Sequence, residues 1–209
     1  MRHTAGMSMV PSSVSRRRAL LLGLGLPLLA AGPAPAQVVV EGYTYAPQIT
    51  LGGSTLLLNG VGLRAVAWFK GYAAGLYLAR KSTTVEGVLA TPGPKRIQMR
   101  MFVDVPTVEF VKAFYKGIQR NTPAAQQPAL AERMQRFDAL VTSLGEVKTN
   151  DVVDLDFLPG QGLVFRHNGR QVGTAIAGED FYVALLRIFI GGRPVDKEMK
   201  IGLLGGPVA

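Results

Sequence analysis

Arg64 is the residue whose surroundings most demand chemistry. It stands in the stretch Leu58 to Leu78, LNGVGLRAVAWFKGYAAGLYL, and a guanidinium buried among Leu63, Val66 and Trp68 must find acceptors. A ligand carboxylate or phenolate would serve, because the planar fork matches paired acceptor oxygens. Backbone carbonyls or an internal acid would serve equally and would make the arginine structural. Asp154 and Asp156 share one face of an expected strand, where paired carboxylates can do acid and base work, although a wet sheet face explains them as well. His167 stands beside an expected hairpin turn, where a surface role fits it best. The spacing Gly60, Gly62, Ala65 matches the G-x-G-x-x-A fingerprint, but that motif needs a helix to begin at the glycines, and strand-type residues follow here.

Composition removes several chemistries. The chain has no cysteine and two histidines, which excludes disulfides, thiolate nucleophiles and cysteine-ligated metals. With His3 in the leader described below, a histidine metal cluster is excluded as well, and a Ser-His-Asp triad would have to use His167. No metal and no cofactor is expected.

The elements that must position these residues are legible in outline. Val38 to Thr50 reads as strand interrupted by Gly42 and Pro47, turning over Gly52-Gly53 into Leu56 to Leu58 as an edge hairpin. Asn59-Gly60-Val61-Gly62 reads as a glycine turn, with strand to Leu78 beyond it. A short helix is expected over Thr84 to Leu89, a strand over Ile97 to Val103, a helix over Asp104 to Asn121 capped by Thr107, and a second amphipathic helix over Pro128 to Leu144. Strands follow at Val152 to Phe157, Gly162 to His167 and Gln171 to Ile176, with a hairpin at Asn168-Gly169. Helices Glu179 to Ile190 and Asp196 to Leu203 close the chain. The fold class is α+β.

Residues 1–36 read as a signal peptide: Arg16-Arg17-Arg18, an apolar run from Ala19 to Ala31, and Ala34-Pro35-Ala36 as a small-residue cleavage site. The run is shorter than the roughly 20 residues that span a bilayer, so the mature chain, 37–209, is expected to be exported to the periplasm without a transmembrane span. Ser15 to Leu20 fits a twin-arginine signal in part, and the Sec route stays open. Without the leader's four arginines the formal net charge falls from +9 to +5. The remaining basic residues are scattered, so nucleic acid is not an expected partner.

The pieces Gly60-Val61-Gly62-Leu63-Arg64, Ala74-Gly75-Leu76-Tyr77-Leu78 and the Ile190-Gly191 step after the last long helix resemble the chalcone isomerase-like domain in its bacterial exported branch. The resemblance covers most of 37–209. It implies an open-faced β-sandwich in which a large antiparallel sheet wraps a layer of helices, with a ligand cleft between them. Of the plant isomerase's working residues, the arginine falls on Arg64 and is kept. The first threonine falls on Tyr72, the catalytic tyrosine on Phe110, an asparagine near Gly117, and a threonine or serine on Ile188. Ring closure needs an activated ketone and a stabilised phenolate, so losing those donors argues against flavonoid cyclisation.

Fatty-acid-binding members of the family hold a carboxylate with an arginine and a tyrosine, and the resemblance implies that Arg64 and Tyr72 supply that pair, with Phe110 and Ile188 lining the cleft. A straight strand would hold the two side chains roughly 26 Å apart; a reversal between them would join them. The expected function is therefore a non-catalytic, exported protein that binds a small amphipathic anion such as a fatty acid through Arg64. The alternatives are an intramolecular lyase or isomerase on a non-flavonoid substrate, with Tyr72 or Tyr115 as proton donor, and a structural envelope protein without a small ligand. Changing Arg16 and Arg17 together to Lys should stop export by the twin-arginine route. Undiminished periplasmic yield of that variant would exclude the route and leave Sec.

Overall fold

Short β-branched and aromatic runs punctuated by glycine pairs dictate an antiparallel meander. The structure is a computed structural model, which describes residues 37–66 and 69–208; the leader expected over 1–36 lies outside the described residues. Strands β1 (Val38–Val40) and β2 (Tyr43–Tyr45) close over Glu41-Gly42, and β3 (Gln48–Leu51) turns into β4 (Ser54–Val66) over Gly52-Gly53. All four turn residues have positive φ, as tight hairpins that match strand twist require. The chain continues through β5 (Phe69–Leu78), α1 (Val85–Ala90), β6 (Lys95–Met101), β7 (Val105–Pro106), α2 (Thr107–Asn121), α3 (Ala131–Thr142) and β8 (Glu146–Val147). It ends with β9 (Val152–Leu158), β10 (Gly162–His167), β11 (Arg170–Gln171), α4 (Glu179–Ile190) and α5 (Lys197–Leu203). Seven strands form one antiparallel sheet in the order β11-β10-β9-β6-β5-β4-β3, while β1-β2 and β7-β8 are separate ribbons.

Strand alternation sorts residues between two faces. The inner face presents Leu76, Ile97, Met99, Leu155 and Phe165 to α2, α3 and α4, which return Phe114, Phe137, Phe181 and Leu185 to one apolar core. On the outer face, Leu56, Leu58, Val61, Leu63 and Tyr77 form a second cluster with Val40 and Tyr45 of the β1-β2 ribbon. Gly75 lets that ribbon approach, since a Cβ there would stand 2.7 Å from the Tyr45 ring. Burial pushes the Tyr45 and Tyr77 phenols up, Tyr77 to about 12.

The expected single strand over Leu58 to Leu78 is two strands, and Asn59 to Gly62 is not a turn. β4 runs straight through the glycines and pairs antiparallel with β5. Neither Gly60 nor Gly62 has positive φ; they are bare for another reason. Helix α5 lies directly on them, so that a Cβ on Gly60 would stand 2.1 Å from the Gly202 carbonyl oxygen and one on Gly62 2.2 Å from that of Met199.

Asn59 is the extra residue of a β-bulge, where the pairing steps from Leu58↔Tyr77 to Gly60↔Leu76. Its side-chain amide donates to the Ser82 and Leu203 carbonyls at 2.9 and 2.7 Å, and its Oδ1 accepts from the Ser82 amide at 2.7 Å. An extra residue reverses the alternation of everything after it. Leu56 and Leu58 face outward before the bulge, Val61 and Leu63 face outward after it, and Gly60, Gly62 and Arg64 turn inward.

Other boundaries shift for local reasons. Helix α2 starts at Thr107 behind Pro106, not at Asp104, and the Thr107 hydroxyl donates to the Gly145 carbonyl at 2.9 Å instead of capping. The strand expected over Gln171 to Ile176 shrinks to Arg170–Gln171 and a lone bridge from Ile176 to Leu163. Thr84 caps α1 and Asn168-Gly169 makes its hairpin, both as the residue types require.

Asp154 and Asp156 do not lie on a wet face: they are 3% and 0% exposed. Asp156 accepts from Arg96 at 2.6 and 2.7 Å and from Arg166 at 3.1 Å, and Asp154 accepts from Gln98 at 2.9 Å. They join β6, β9 and β10 across the outer face.

The contact between α5 and β4 is the tightest in this part of the fold. Gly62→Ala should push the helix off the strand and cost about 2–3 kcal/mol, measured as a lowered denaturant midpoint. A midpoint equal to that of the wild type would mean that α5 does not need this close approach.

Candidate ligand-binding site

The reversal between β4 and β5 makes Arg64 and Tyr72 direct cross-strand partners, so their Cα atoms are about 5 Å apart. The 26 Å separation of a straight strand does not arise. The Asn59 bulge turns Arg64 to the helix side of the sheet, where Tyr72 already lies by the alternation of β5 with Ala74 and Leu76.

Arg64 is paired there. Its Nη1 donates to Asp196 Oδ2 at 3.2 Å and lies 3.4 Å from the Ala65 carbonyl oxygen. Asp196 is the N-cap of α5, and its Oδ1 accepts from the Met199 amide at 3.0 Å. One carboxylate thus holds the start of α5 and neutralises the arginine. Side-chain exposure is 28% for Arg64 and 13% for Asp196, so water still screens the pair and its worth is about 1 kcal/mol at most. Burial pushes the Tyr72 phenol up to about 12, with the Arg64 charge pulling down and that of Asp196 pushing up. The hydroxyl therefore stays protonated, and it can donate or accept a hydrogen bond.

Beyond Tyr72 a cavity opens between the sheet and the helices. Tyr72, Met99 and Leu155 form its floor, Phe110, Ala113 and Phe114 of α2 one wall, and Leu185, Ile188 and Phe189 of α4 another, with Val195 beside Asp196 at the rim. Phe110 is half-buried and Ala113 exposed, which puts the mouth along this side of α2. Gly117 allows α2 to lie on α4, because a Cβ there would stand 2.6 Å from Ile188. The cavity volume is about 80 Å³. A dry cavity of about 150 Å³ holds one benzene, so an alkyl tail of more than a few carbons must part the walls to enter.

Of the residues expected to touch ligand, Tyr72, Phe110 and Ile188 line this cavity. Arg64 stands across from Tyr72 and does not line it. Tyr115, the other candidate proton donor, is exposed on α2 and donates to Asp138 Oδ2 at 3.2 Å. His167, the last residue of β10, bonds Asp151 Oδ2 at 2.7 Å just ahead of β9, and neither lines the cavity. A larger open groove of about 620 Å³ lies among loop residues 89–93 and 159–162 and the start of α4, without an arginine or a tyrosine in its lining.

Asp196 and Val195 were not anticipated as site residues. The readable signal was an aspartate immediately before a helical run, the mark of an N-cap; nothing in that pattern names Arg64, 132 positions away, as its partner. Among the described residues no group of three or more His, Cys, Asp or Glu could hold a metal, and no helix is long and apolar enough to cross a membrane.

The family profile described as chalcone isomerase-like matches residues 37–205. The crystal structure of a fatty-acid binding protein from Arabidopsis thaliana superposes with a TM-score of 0.63 and 19% sequence identity, covering 81% of this chain and 96% of that one. No curated protein sequence matches. At that identity the likeness establishes the fold.

The double duty of Asp196 separates its two roles by mutation. Asp196→Asn keeps a cap acceptor and should stay within about 1 kcal/mol of wild type, whereas Asp196→Ala loses cap and ion pair together and should cost about 1–2 kcal/mol. Arg64→Met, which leaves the cap bond in place, should cost about 1 kcal/mol or less. Urea unfolding of the three variants checks this, and a loss of 3 kcal/mol or more for Arg64→Met would assign the arginine to structure.

Proposed function

The chain belongs to the chalcone isomerase-like family, and from that premise we propose that it is an exported, non-catalytic binding protein for a small amphipathic ligand. The tail lies in the apolar cavity under α2 and α4, and the polar head meets Tyr72, with Arg64 across the strand from it. The observation that carries this reading is the pairing of an almost wholly apolar cavity with one polar end. The lining from Met99 to Val195 offers no acid, base or nucleophile beyond the Tyr72 phenol, too little for general acid and base catalysis by a pair of groups. The plant protein of like fold is named for binding fatty acids, ligands with an apolar tail and an acidic head. Export is supported by the basic, apolar and small-residue pattern of residues 1–36. The second alternative, an envelope protein without a small ligand, leaves the cavity and the polar group in its lining without a use.

Protein purified from the periplasm, denatured and extracted, should release an amphiphile in about stoichiometric amount by mass spectrometry. Ala113→Phe, which fills the mouth of the cavity, should reduce that yield severalfold while the protein stays folded. Wild-type protein that carries no ligand and binds none when offered medium-chain amphiphiles would favour the structural envelope role.

A further inference from the structure

Resting on the reading above, we infer that Asp196 sets the head-group chemistry of the ligand: the site takes an uncharged hydrogen-bonding head, such as a ketone, ester or undissociated acid, in preference to a carboxylate. An arginine beside an apolar cavity ordinarily points to an anion, since its fork fits two carboxylate oxygens. Here the positive charge is already answered. Asp196 Oδ2 lies 3.2 Å from Arg64 Nη1 and is itself only 13% exposed. Its other oxygen is fixed by the Met199 amide at 3.0 Å, so the carboxylate cannot swing away without uncapping α5.

Helix α5 is in turn clamped to β4 by the bare faces of Gly60, Gly62 and Gly202. Displacing Asp196 would therefore disturb a packed helix, which a small ligand head cannot readily do. A carboxylate placed at Tyr72 would enter with Asp196 still in position. Tyr72 is the cross-strand partner of Arg64, whose Nη1 holds Asp196 Oδ2 at 3.2 Å, so a second anion there would meet its like one side chain away, and the water that partly screens the pair does not remove that repulsion.

A neutral acceptor meets no such opposition. The Tyr72 hydroxyl, protonated up to about 12, can donate to a carbonyl oxygen. The arginine and aspartate together present a dipole with no net charge. The rest of the lining is apolar and selects for the tail, not the head. Asp196 thus acts as a selectivity residue without needing to touch the ligand.

Isothermal titration calorimetry at pH 8 with decanoate and with 2-decanone tests this on the mature wild-type protein and on Asp196→Asn. Asparagine keeps an acceptor for the α5 cap but removes the charge. Wild type should bind the ketone about tenfold or more tighter than decanoate, and Asp196→Asn should gain about tenfold for decanoate with little change for the ketone. Decanoate bound by wild type as tightly as the ketone would overturn the inference and leave the binding function intact. So would an unchanged ratio in Asp196→Asn. Failure of wild type to bind either compound or their shorter homologues pentanoate and 2-pentanone, whose tails make the least demand on the cavity walls, would remove the binding function itself and this inference with it. Should Asp196→Asn not fold, the wild-type ratio still decides.

Discussion

The approach of α5 to β4 is the constraint on which the site depends. A helix can lie against a strand at carbonyl contact only where the strand has no side chains, and Gly60 and Gly62 supply that gap. The helix delivered there begins with Asp196, whose position over β4 is fixed by the same contact. Arg64 stands two residues beyond Gly62 on the same face, so the cap of the helix and the arginine of the strand meet. Shift the helix by one turn and the arginine would lie unpaired at the rim of an apolar cavity, where an uncompensated charge is costly.

None of this works without Asn59. Before it, alternate residues of β4 face one way, and after it they face the other. Had the strand been regular, Arg64 would point toward the β1-β2 ribbon and the glycines would face outward with it. The bulge is held by three hydrogen bonds from one side-chain amide, to both the start of the α1 segment at Ser82 and the end of α5 at Leu203. The residue that turns Arg64 inward therefore also ties down the end of the helix whose beginning pairs with Arg64. Bulges are commonly found where a sheet re-aims a side chain, and this one aims at the cavity rim.

Much of the architecture was legible because local rules governed it. Thr84 caps a helix, Asn168-Gly169 and Gly52-Gly53 make tight hairpins, and the apolar spacing of Phe110, Phe114 and Ile118 on α2 faces the sheet, as types and periods require. The misreadings share a cause. Glycine serves both for positive φ and for close approach, and Asn59 to Gly62 was read for the first when the second applied. The reversal after Val66 lacks an Asn-Gly or Gly-Gly pair, so a turn that brings Arg64 to Tyr72 left no mark. Asp154 and Asp156 share a face as their spacing says, but whether that face is wet depends on Arg96 and Arg166 two strands apart. In each case a residue's partner, not its type, decides its role, and partners distant in sequence are what a single chain does not display.

Tyr72, Phe110 and Ile188 line one cavity, although they come from β5, α2 and α4. Gly117 makes room in the wall, since the space its missing side chain leaves is taken by Ile188. Polarity is confined to the Tyr72 hydroxyl in the lining and to the Arg64–Asp196 pair across the strand from it, outside the lining. A buried arginine with no internal acid would make the empty protein depend on its ligand for charge balance; with Asp196 in place the site is balanced before any ligand arrives. Under the proposed binding role, that arrangement would let apolar complementarity dominate and would leave to the head group the smaller task of fixing orientation at Tyr72.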